Sequence, residues 1–462
     1  MESLRKIMNK QAPSGIERRR KTLIVGLGKT GLSCARFLAS RGVPWAVTDT
    51  RKAPPGLQQL EQELPDAGLF LGGFDPDVFR AAERLVVSPG VAITEPLIQQ
   101  AIAQGIPVLG DIELFCQVAR APVAVITGSN GKSTVTTLLG EMAKAAGVQV
   151  RVGGNLGQPA LDLLDDDAEL YVLELSSFQL ETTHTLKPQV AVVLNVSPDH
   201  LDRYPDLQHY ADAKAKAYHQ ARDRIVNRDD PLVVAMTASD ADTIGYTLGV
   251  PRDQDFGLLS TELGQCLCRG GNPLLPVSEL KIFGSHNQQN ALAALAMGSA
   301  LELPMAAMLD ALRTFRGLPH RTQFVGEHGG VCWYNDSKST NPGACIAALE
   351  GFHEAGGKSK TILIAGGDGK GADFAPLGPV VARTCRAVVL IGRDAGLIAA
   401  ALLPETRVIR ADSMEEAIAL ATEQALPGDR VMLSPACASF DMFNNYAHRG
   451  EVFVALLGRF FQ

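Results

Sequence analysis

Short apolar runs alternate with longer amphipathic stretches along most of this chain. That is the pattern of strands followed by helices, and it predicts α/β architecture with parallel sheets. The first block opens with a strand at Thr22–Gly26, passes through a helix from Thr30 to about Arg41 and reaches a strand at Trp45–Asp49. Leu85–Ser88 and Val108–Leu109 extend the same sheet, and a helix from Asp111 to Ala119 leads to the next strand at Pro122–Ile126. The second block adds strands at Leu170–Glu174 and Val190–Asn195, a glycine-rich β region over about 243–283 and an alanine-rich helix at Asn290–Leu301. The third starts with a strand at Val331–Asn335, and strands recur at Thr361–Ala365, Ala387–Ile391 and Arg430–Ser434. Three domains are expected: a Rossmann-like 1–110, a central 111–317 of the P-loop ATPase type with a parallel sheet and a smaller β region, and a Rossmann-like 318–462.

The 462 residues are 46% hydrophobic and 20% charged, ordinary for a soluble enzyme. A formal net charge of -7 argues against a nucleic-acid partner. The basic cluster Arg18–Lys21 reads as a solvated arm. Eight cysteines contain no Cys-x-x-Cys pair, so neither a disulfide framework nor a zinc site is expected. No apolar run approaches the roughly 20 residues of a membrane span. The N-terminus lacks the apolar core of a secretory signal, so a cytoplasmic protein without stable membrane association is expected.

The strongest chemical signal follows Pro122–Ile126: Thr127, Gly128, Ser129, Asn130, Gly131, Lys132, Ser133 and Thr134 close a buried-type strand and open a helix. Glycine amides and a helix N-terminus face an anion there, Lys132 adds charge, and Ser133 can place its hydroxyl on a Mg²⁺ held between nucleotide phosphates. Ile126 stands where the standard Walker spacing has a glycine. Glu174 ends the strand Leu170–Glu174, where open α/β sheets bind ligands and where a carboxylate would serve that Mg²⁺. Asp199 and His200 follow the next strand into the same crevice. The bland reading of Lys214, on a helix with Lys216, is a solvated face.

Gly26, Gly28 and Gly31 form the dinucleotide fingerprint, with Asp49 ending the next strand. That pattern fits an NAD-dependent oxidoreductase, yet its physics is pyrophosphate binding at a helix N-terminus, which a UDP-linked molecule satisfies equally. In the third block, Asn335–Asn341, Gly366–Phe374 and Ser434–Asp441 are three polar strand ends on one sheet edge. Together they suit a small dianionic substrate.

Taken together these motifs resemble the Mur ligase family over Val25 to Gly450, with the third-block loops similar to its D-glutamate-adding branch. A folylpolyglutamate-synthetase-like ligase is the nearest chemical alternative, and it should lack the first domain. The resemblance implies an ATP-dependent ligase acting through an acyl phosphate on UDP-N-acetylmuramoyl-L-alanine and D-glutamate, in peptidoglycan synthesis, as a monomer with two Mg²⁺ sites. It implies Gly128 to Thr134, Asn290, Arg321, Asp336 and Lys338 on the ATP side, and Ser133, Glu174, His200 and a carbamylated Lys214 around magnesium. Lys132, His200 and Lys214 are the implied catalytic residues. Thr30, Asp49, Thr50, Arg51 and Ser88 would hold the UDP; Asn155, Gln179 and His200 the muramoyl-alanine; Thr340, Lys370, Ser439 and Tyr446 the D-glutamate. Two positions depart from the family pattern: Lys29 replaces an apolar residue, and Tyr446 replaces phenylalanine.

Overall fold

A computed structural model describes residues 21–200, 202–237, 243–262, 264–282, 284–352 and 359–461. Arg18, Arg19 and Arg20 of the basic cluster lie outside the described residues. By compactness the chain divides into two units. One joins Met1–Arg120 with Gly153–Asp166 and Ser176–Leu186; the other holds Ala121–Val152, Asp167–Leu175 and Lys187–Gln462.

The first unit is built on β1 (Lys21–Val25), β2 (Trp45–Asp49), β3 (Gly68–Leu71), β4 (Ala82–Val87) and β5 (Val108–Leu109), in the order β3-β2-β1-β4-β5. Every pairing is parallel. Leu23, Val25, Leu85 and Val87 meet Phe79 and Ile98 in its core. The strand order reverses between β1 and β4, so the chain leaving each opens a crevice at their carboxyl ends. Helix α1 (Lys29–Ser40) starts there.

A second sheet is formed by β6 (Val123–Thr127), β7 (Val150–Gly154), β8 (Leu170–Glu174), β9 (Val190–Val193), β10 (Asp223–Asn227), β11 (Ile244–Tyr246), β12 (Phe256–Thr261), β13 (Gly264–Arg269) and β14 (Asn272–Pro276). Its order is β14-β13-β12-β11-β10-β9-β6-β8-β7. Strands β6 and β8 are buried at every position and β9 likewise, as expected of parallel strands covered on both faces. β6 pairs in parallel with both β8 and β9, which makes its carboxyl end a second topological switch point. The antiparallel β12–β13–β14 meander is the expected smaller β region. Helices α2 (Lys132–Ala145), α3 (Leu207–Ala215) and α4 (Ser285–Ala300) belong to this layer. α4 begins five residues ahead of the predicted start at Asn290. Its stretch Asn290–Gly298 is buried throughout, which small alanines make sterically affordable against the sheet.

A third sheet comprises β15 (Gln323–His328), β16 (Val331–Asn335), β17 (Thr361–Gly366), β18 (Cys385–Ile391), β19 (Val408–Arg410) and β20 (Arg430–Leu433), ordered β15-β16-β20-β17-β18-β19. Only the β15–β16 pair is antiparallel. The carboxyl ends of β16, β20 and β17 therefore stand side by side, next to α5 (Pro342–Gly351) and α6 (Tyr446–Phe460). The predicted helix from Asp111 to Ala119 ends earlier, at Cys116, in a turn.

Candidate functional site

The loop between β6 and α2 is set by two glycines with left-handed backbone, Gly128 (φ 147°) and Gly131 (φ 84°). A Cβ on Gly131 would collide with the Asn290 side-chain oxygen, so the loop also needs the missing side chain for space. Gly131 caps α2 without any side-chain hydrogen bond to the helix. The first amides of α2, from Lys132 to Thr134, are thus left for an external acceptor at the positive end of the helix dipole. By contrast the Ser129 amide donates to the Asn195 carbonyl at 2.9 Å, and the Asn130 amide to Asn195 Oδ1 at 2.8 Å. Lys132 folds back so that Nζ donates to the Gly128 and Ser129 carbonyls at 2.7 and 2.9 Å. Burial lowers its pKa, Glu174 acts against that, and Arg321 adds to it.

Lys214 overturns the solvated-face reading. On α3 its side chain is only 1% exposed, and Nζ donates to the same Gly128 carbonyl at 2.9 Å while standing 4.3 Å from the Tyr210 ring centre. Burial first, then Lys132, drives its pKa well below the ordinary lysine value. The helix pattern hid this, because one inward lysine among polar neighbours does not disturb a 3.6-residue period. Glu174, 3% exposed at the end of β8, pulls the pKa values of both lysines upward. His200 adopts a left-handed backbone (φ 55°), and its Nε2 is 3.8 Å from Asp199. Burial, with Lys370, Lys214 and Lys132, keeps its imidazole towards the neutral form against Asp199.

Next to the loop lies a cavity of about 280 Å³ whose lining includes Asn130, Gly131, Thr134, Asn290, Arg321, Asp336 and Lys338. Arg321 donates to the Ser133 hydroxyl at 2.8 Å, joining the chain before β15 to the start of α2. Asp336, at the end of β16, accepts from the Thr322 amide at 3.0 Å and the Ser434 hydroxyl at 2.7 Å. Its burial raises the carboxyl to about 6. Lys338 sits 4.0 Å from the Tyr446 ring centre, and burial, reinforced by Arg321 and Lys132, lowers it to about 8.

The other third-sheet candidates are held by backbone links. Asp368 and Ala438 form a two-residue antiparallel bridge between the loops after β17 and β20. Lys370 is exposed with φ 50°, its amide bonded to Asp368, and Asp368 pairs with Arg393. Ser439 is buried and Thr340 half-buried. Arg449 on α6 was not anticipated. Its buried guanidinium donates to the Ser337 and Cys437 carbonyls at 2.8 and 3.0 Å, and burial brings it down to about 10. Asn195 was likewise passed over, although it follows a buried parallel strand just as Glu174 and His200 do.

In the first unit a cavity of about 590 Å³ is lined by Gly26, Thr30, Asp49, Thr50, Arg51, Ser88, Asn155 and Gln179, among others. A Cβ on Gly31 would strike the Gly26 carbonyl, so the fingerprint glycine permits α1 to approach β1. Both oxygens of Asp49 are engaged: Oδ2 accepts from the Leu27 amide at 2.8 Å and the Arg51 guanidinium at 2.7 Å, and Oδ1 from the Arg51 amide and Nε. Burial opposes its charge, but the Arg51 bonds with the two amides outweigh it and hold the carboxyl at about 2. Asp49 thereby presents Arg51 at the cavity. Ser88 donates to the Gly26 carbonyl at 2.8 Å. Lys29, the residue departing from pattern, donates to the Gly157 carbonyl at 2.6 Å. Gln179 is fixed in a capping box with Ser176 and donates to buried Asp111 at 3.1 Å.

Among the described residues no group of three or more His, Cys, Asp or Glu is poised to hold a metal. The hard oxygens of Glu174 and Ser133 nevertheless suit Mg²⁺, which takes few protein ligands and completes its shell with water and phosphate.

Residues 20–110 match the Mur ligase MurD-like, N-terminal domain; 126–298 match the Mur ligase middle domain; and 320–437 match the Mur ligase, glutamate ligase domain. The chain is 54% identical over 433 residues to the UDP-N-acetylmuramoylalanine–D-glutamate ligase of Nitrosococcus oceani, covering 94% of this chain and 95% of that one. It is 52% identical over 431 residues to the enzyme of the same name from Pseudomonas aeruginosa, covering 93% and 96%. A solved UDP-N-acetylmuramate-alanine ligase from Thermotoga maritima is similar in fold, with a TM-score of 0.59 at 18% identity over 95% of this chain and 99% of that one.

Proposed function

This chain belongs to the Mur ligase family, and on that premise we propose that it joins D-glutamate to UDP-N-acetylmuramoyl-L-alanine with ATP, in cytoplasmic peptidoglycan precursor synthesis. The substrate carboxylate takes up the γ-phosphoryl group of ATP to become an acyl phosphate, and ADP leaves as the bond between the β- and γ-phosphates breaks. The amine of D-glutamate attacks the carbonyl carbon, loses a proton, and expels phosphate to leave the amide. Positioning and charge neutralisation supply most of the catalysis in such a transfer.

The observation that carries the nucleotide side is the uncapped start of α2 beside Lys132, opening onto a cavity that residues of the second and third sheets line together. The free amides from Lys132 to Thr134 and the Gly131 cradle fit a polyphosphate. In this reading Gly128 to Thr134 form the ATP loop with the amides from Gly131 onward facing the phosphates, Lys132 meets the transferring group, and Asn290, Arg321, Asp336 and Lys338 complete the ATP side. Ser133 and Glu174 would hold one Mg²⁺ and His200 with Lys214 a second; the metal's contribution is to neutralise phosphate charge. Deep burial and a strongly lowered pKa support a reactive neutral amine at Lys214, which carbamate formation requires: the amine adds to CO₂ and releases one proton.

The larger cavity supports UDP binding by Thr30, Asp49, Thr50, Arg51 and Ser88, with Asn155 and Gln179 towards the muramoyl-alanine. Thr340, Lys370, Ser439 and Tyr446 are assigned to D-glutamate, and the modules to 1–110, 111–317 and 318–462. We read the protein as a monomer; no helix among the described residues is long and apolar enough to cross a membrane. The test is phosphate release from ATP with each substrate omitted in turn. Release should require both UDP-N-acetylmuramoyl-L-alanine and D-glutamate, and release independent of either sinks the reading. A change in NADH absorbance with a 2-hydroxy acid would revive the dehydrogenase reading of the Gly26–Gly31 fingerprint.

A further inference from the structure

Asn195 makes three hydrogen bonds to two consecutive residues of the phosphate loop. Its carbonyl accepts from the Ser129 amide at 2.9 Å, its Oδ1 accepts from the Asn130 amide at 2.8 Å, and its Nδ2 donates to the Asn130 carbonyl at 3.1 Å. We propose that Asn195 is a positioning residue for nucleotide binding: its side-chain amide holds the Asn130 backbone from both sides and so fixes which loop amides remain for phosphate. The inference rests on the ATP-ligase reading above.

The chemistry selects this side chain. A carboxamide is the only short side chain that offers a donor and an acceptor in one plane, matching the N–H and C=O of the residue it grips. With the Ser129 and Asn130 amides turned to Asn195, the anion-facing set begins at Gly131 and runs into the uncapped turn of α2. The grip also orients the Asn130 side chain. Its Nδ2 donates to the Ser197 hydroxyl at 3.3 Å, and its Oδ1 accepts from Asn341 at 3.4 Å, ahead of α5. Asn195 therefore governs the register of the loop. It also lines the cavity of about 280 Å³ beside the loop.

ADP with Mg²⁺ is titrated calorimetrically into the full-length wild type, Asn195→Ala and Asn195→Asp, and Michaelis constants for ATP and D-glutamate are measured alongside. Freeing the loop should weaken ADP about 10-fold or more in both variants, the scale of a small misplacement of a binding group. The D-glutamate constant should stay within about twofold, and the nucleotide-free melting temperature within a few degrees. Unchanged ADP affinity in both variants overturns the proposal. So does a D-glutamate constant that rises in step with that for ATP, since a merely structural role would move both. Asn195→Asp is nearly isosteric and keeps the acceptor, so it carries the test if the alanine variant does not fold. A wild type that binds ADP yet releases no phosphate with its substrates sinks the ligase reading alone, and the affinity ratio still judges Asn195. A wild type that binds no ADP overturns both.

Discussion

At the scale of single residues, the second unit brings several cations close to the loop between β6 and α2. Lys132 and Lys214 share the Gly128 carbonyl, while Lys338 lies against an aromatic ring. Buried ammonium groups crowded by like charge titrate early, and each therefore acts as a sensor of what neutralises it. Lys338, at about 8 in the free protein, should be protonated at neutral pH and lose its charge as pH rises through 8. Log kcat/KM for ATP should accordingly bend downward above about pH 8, because that parameter reports groups of the free enzyme. In Lys338→Arg the bend should vanish, measured across pH 6.5 to 9.5. For Lys214, the carbamate role predicts that Lys214→Ala loses nearly all activity and regains part of it with acetate or chloride; no recovery with any small anion would count against that role.

At the scale of elements, the turn into α2 depends on glycine for two separate reasons, and a second glycine separates them. Gly131 and Gly147 flank α2 with nearly equal φ, 84° and 83°, but only Gly131 has a side chain, Asn290, where a Cβ would stand. An L-residue in the left-handed region costs roughly 1–2 kcal/mol. Gly147→Ala should lose about that much in denaturant titrations and Gly131→Ala more, because of the collision with Asn290, whereas only Gly131→Ala should lose ADP affinity, by about 10-fold or more. Equal affinities would mean the contact with Asn290 is without consequence. Much at this scale was legible in the sequence, because fully buried parallel strands leave unbroken apolar runs, as in β6, β8 and β17. β3 is also apolar throughout, but at four residues, none of them fully buried, it is too short a run to stand out and was missed. The order of strands was not legible, since pairing is a long-range choice; yet that order is what puts Glu174 and Asn195 on either side of the loop. Lys214 was lost to pattern and recovered only through the resemblance, while Arg449 gave no signal because an arginine in an amphipathic helix is ordinarily solvated.

At the scale of the whole molecule, the two cavities described above each fall within one compact unit. The larger is lined solely by residues of the first unit and the smaller solely by residues of the second. Hydrogen exchange should therefore separate the ligands. UDP should protect amides within 21–120, 153–166 and 176–186, and ADP with Mg²⁺ amides around 128–134, 195–197 and 336–344. Protection by UDP confined to 21–120 would exclude Asn155 and Gln179 from its surroundings. The discontinuity of the first unit has a consequence for genetic exchange. Its cavity wall is encoded in stretches separated by strands of the other unit, so a crossover at residue 120 between two relatives would pair the fingerprint of one parent with the Asn155 and Gln179 of the other. Such chimaeras would inherit a composite pocket, built from stretches that are neighbours in the fold and not in the gene.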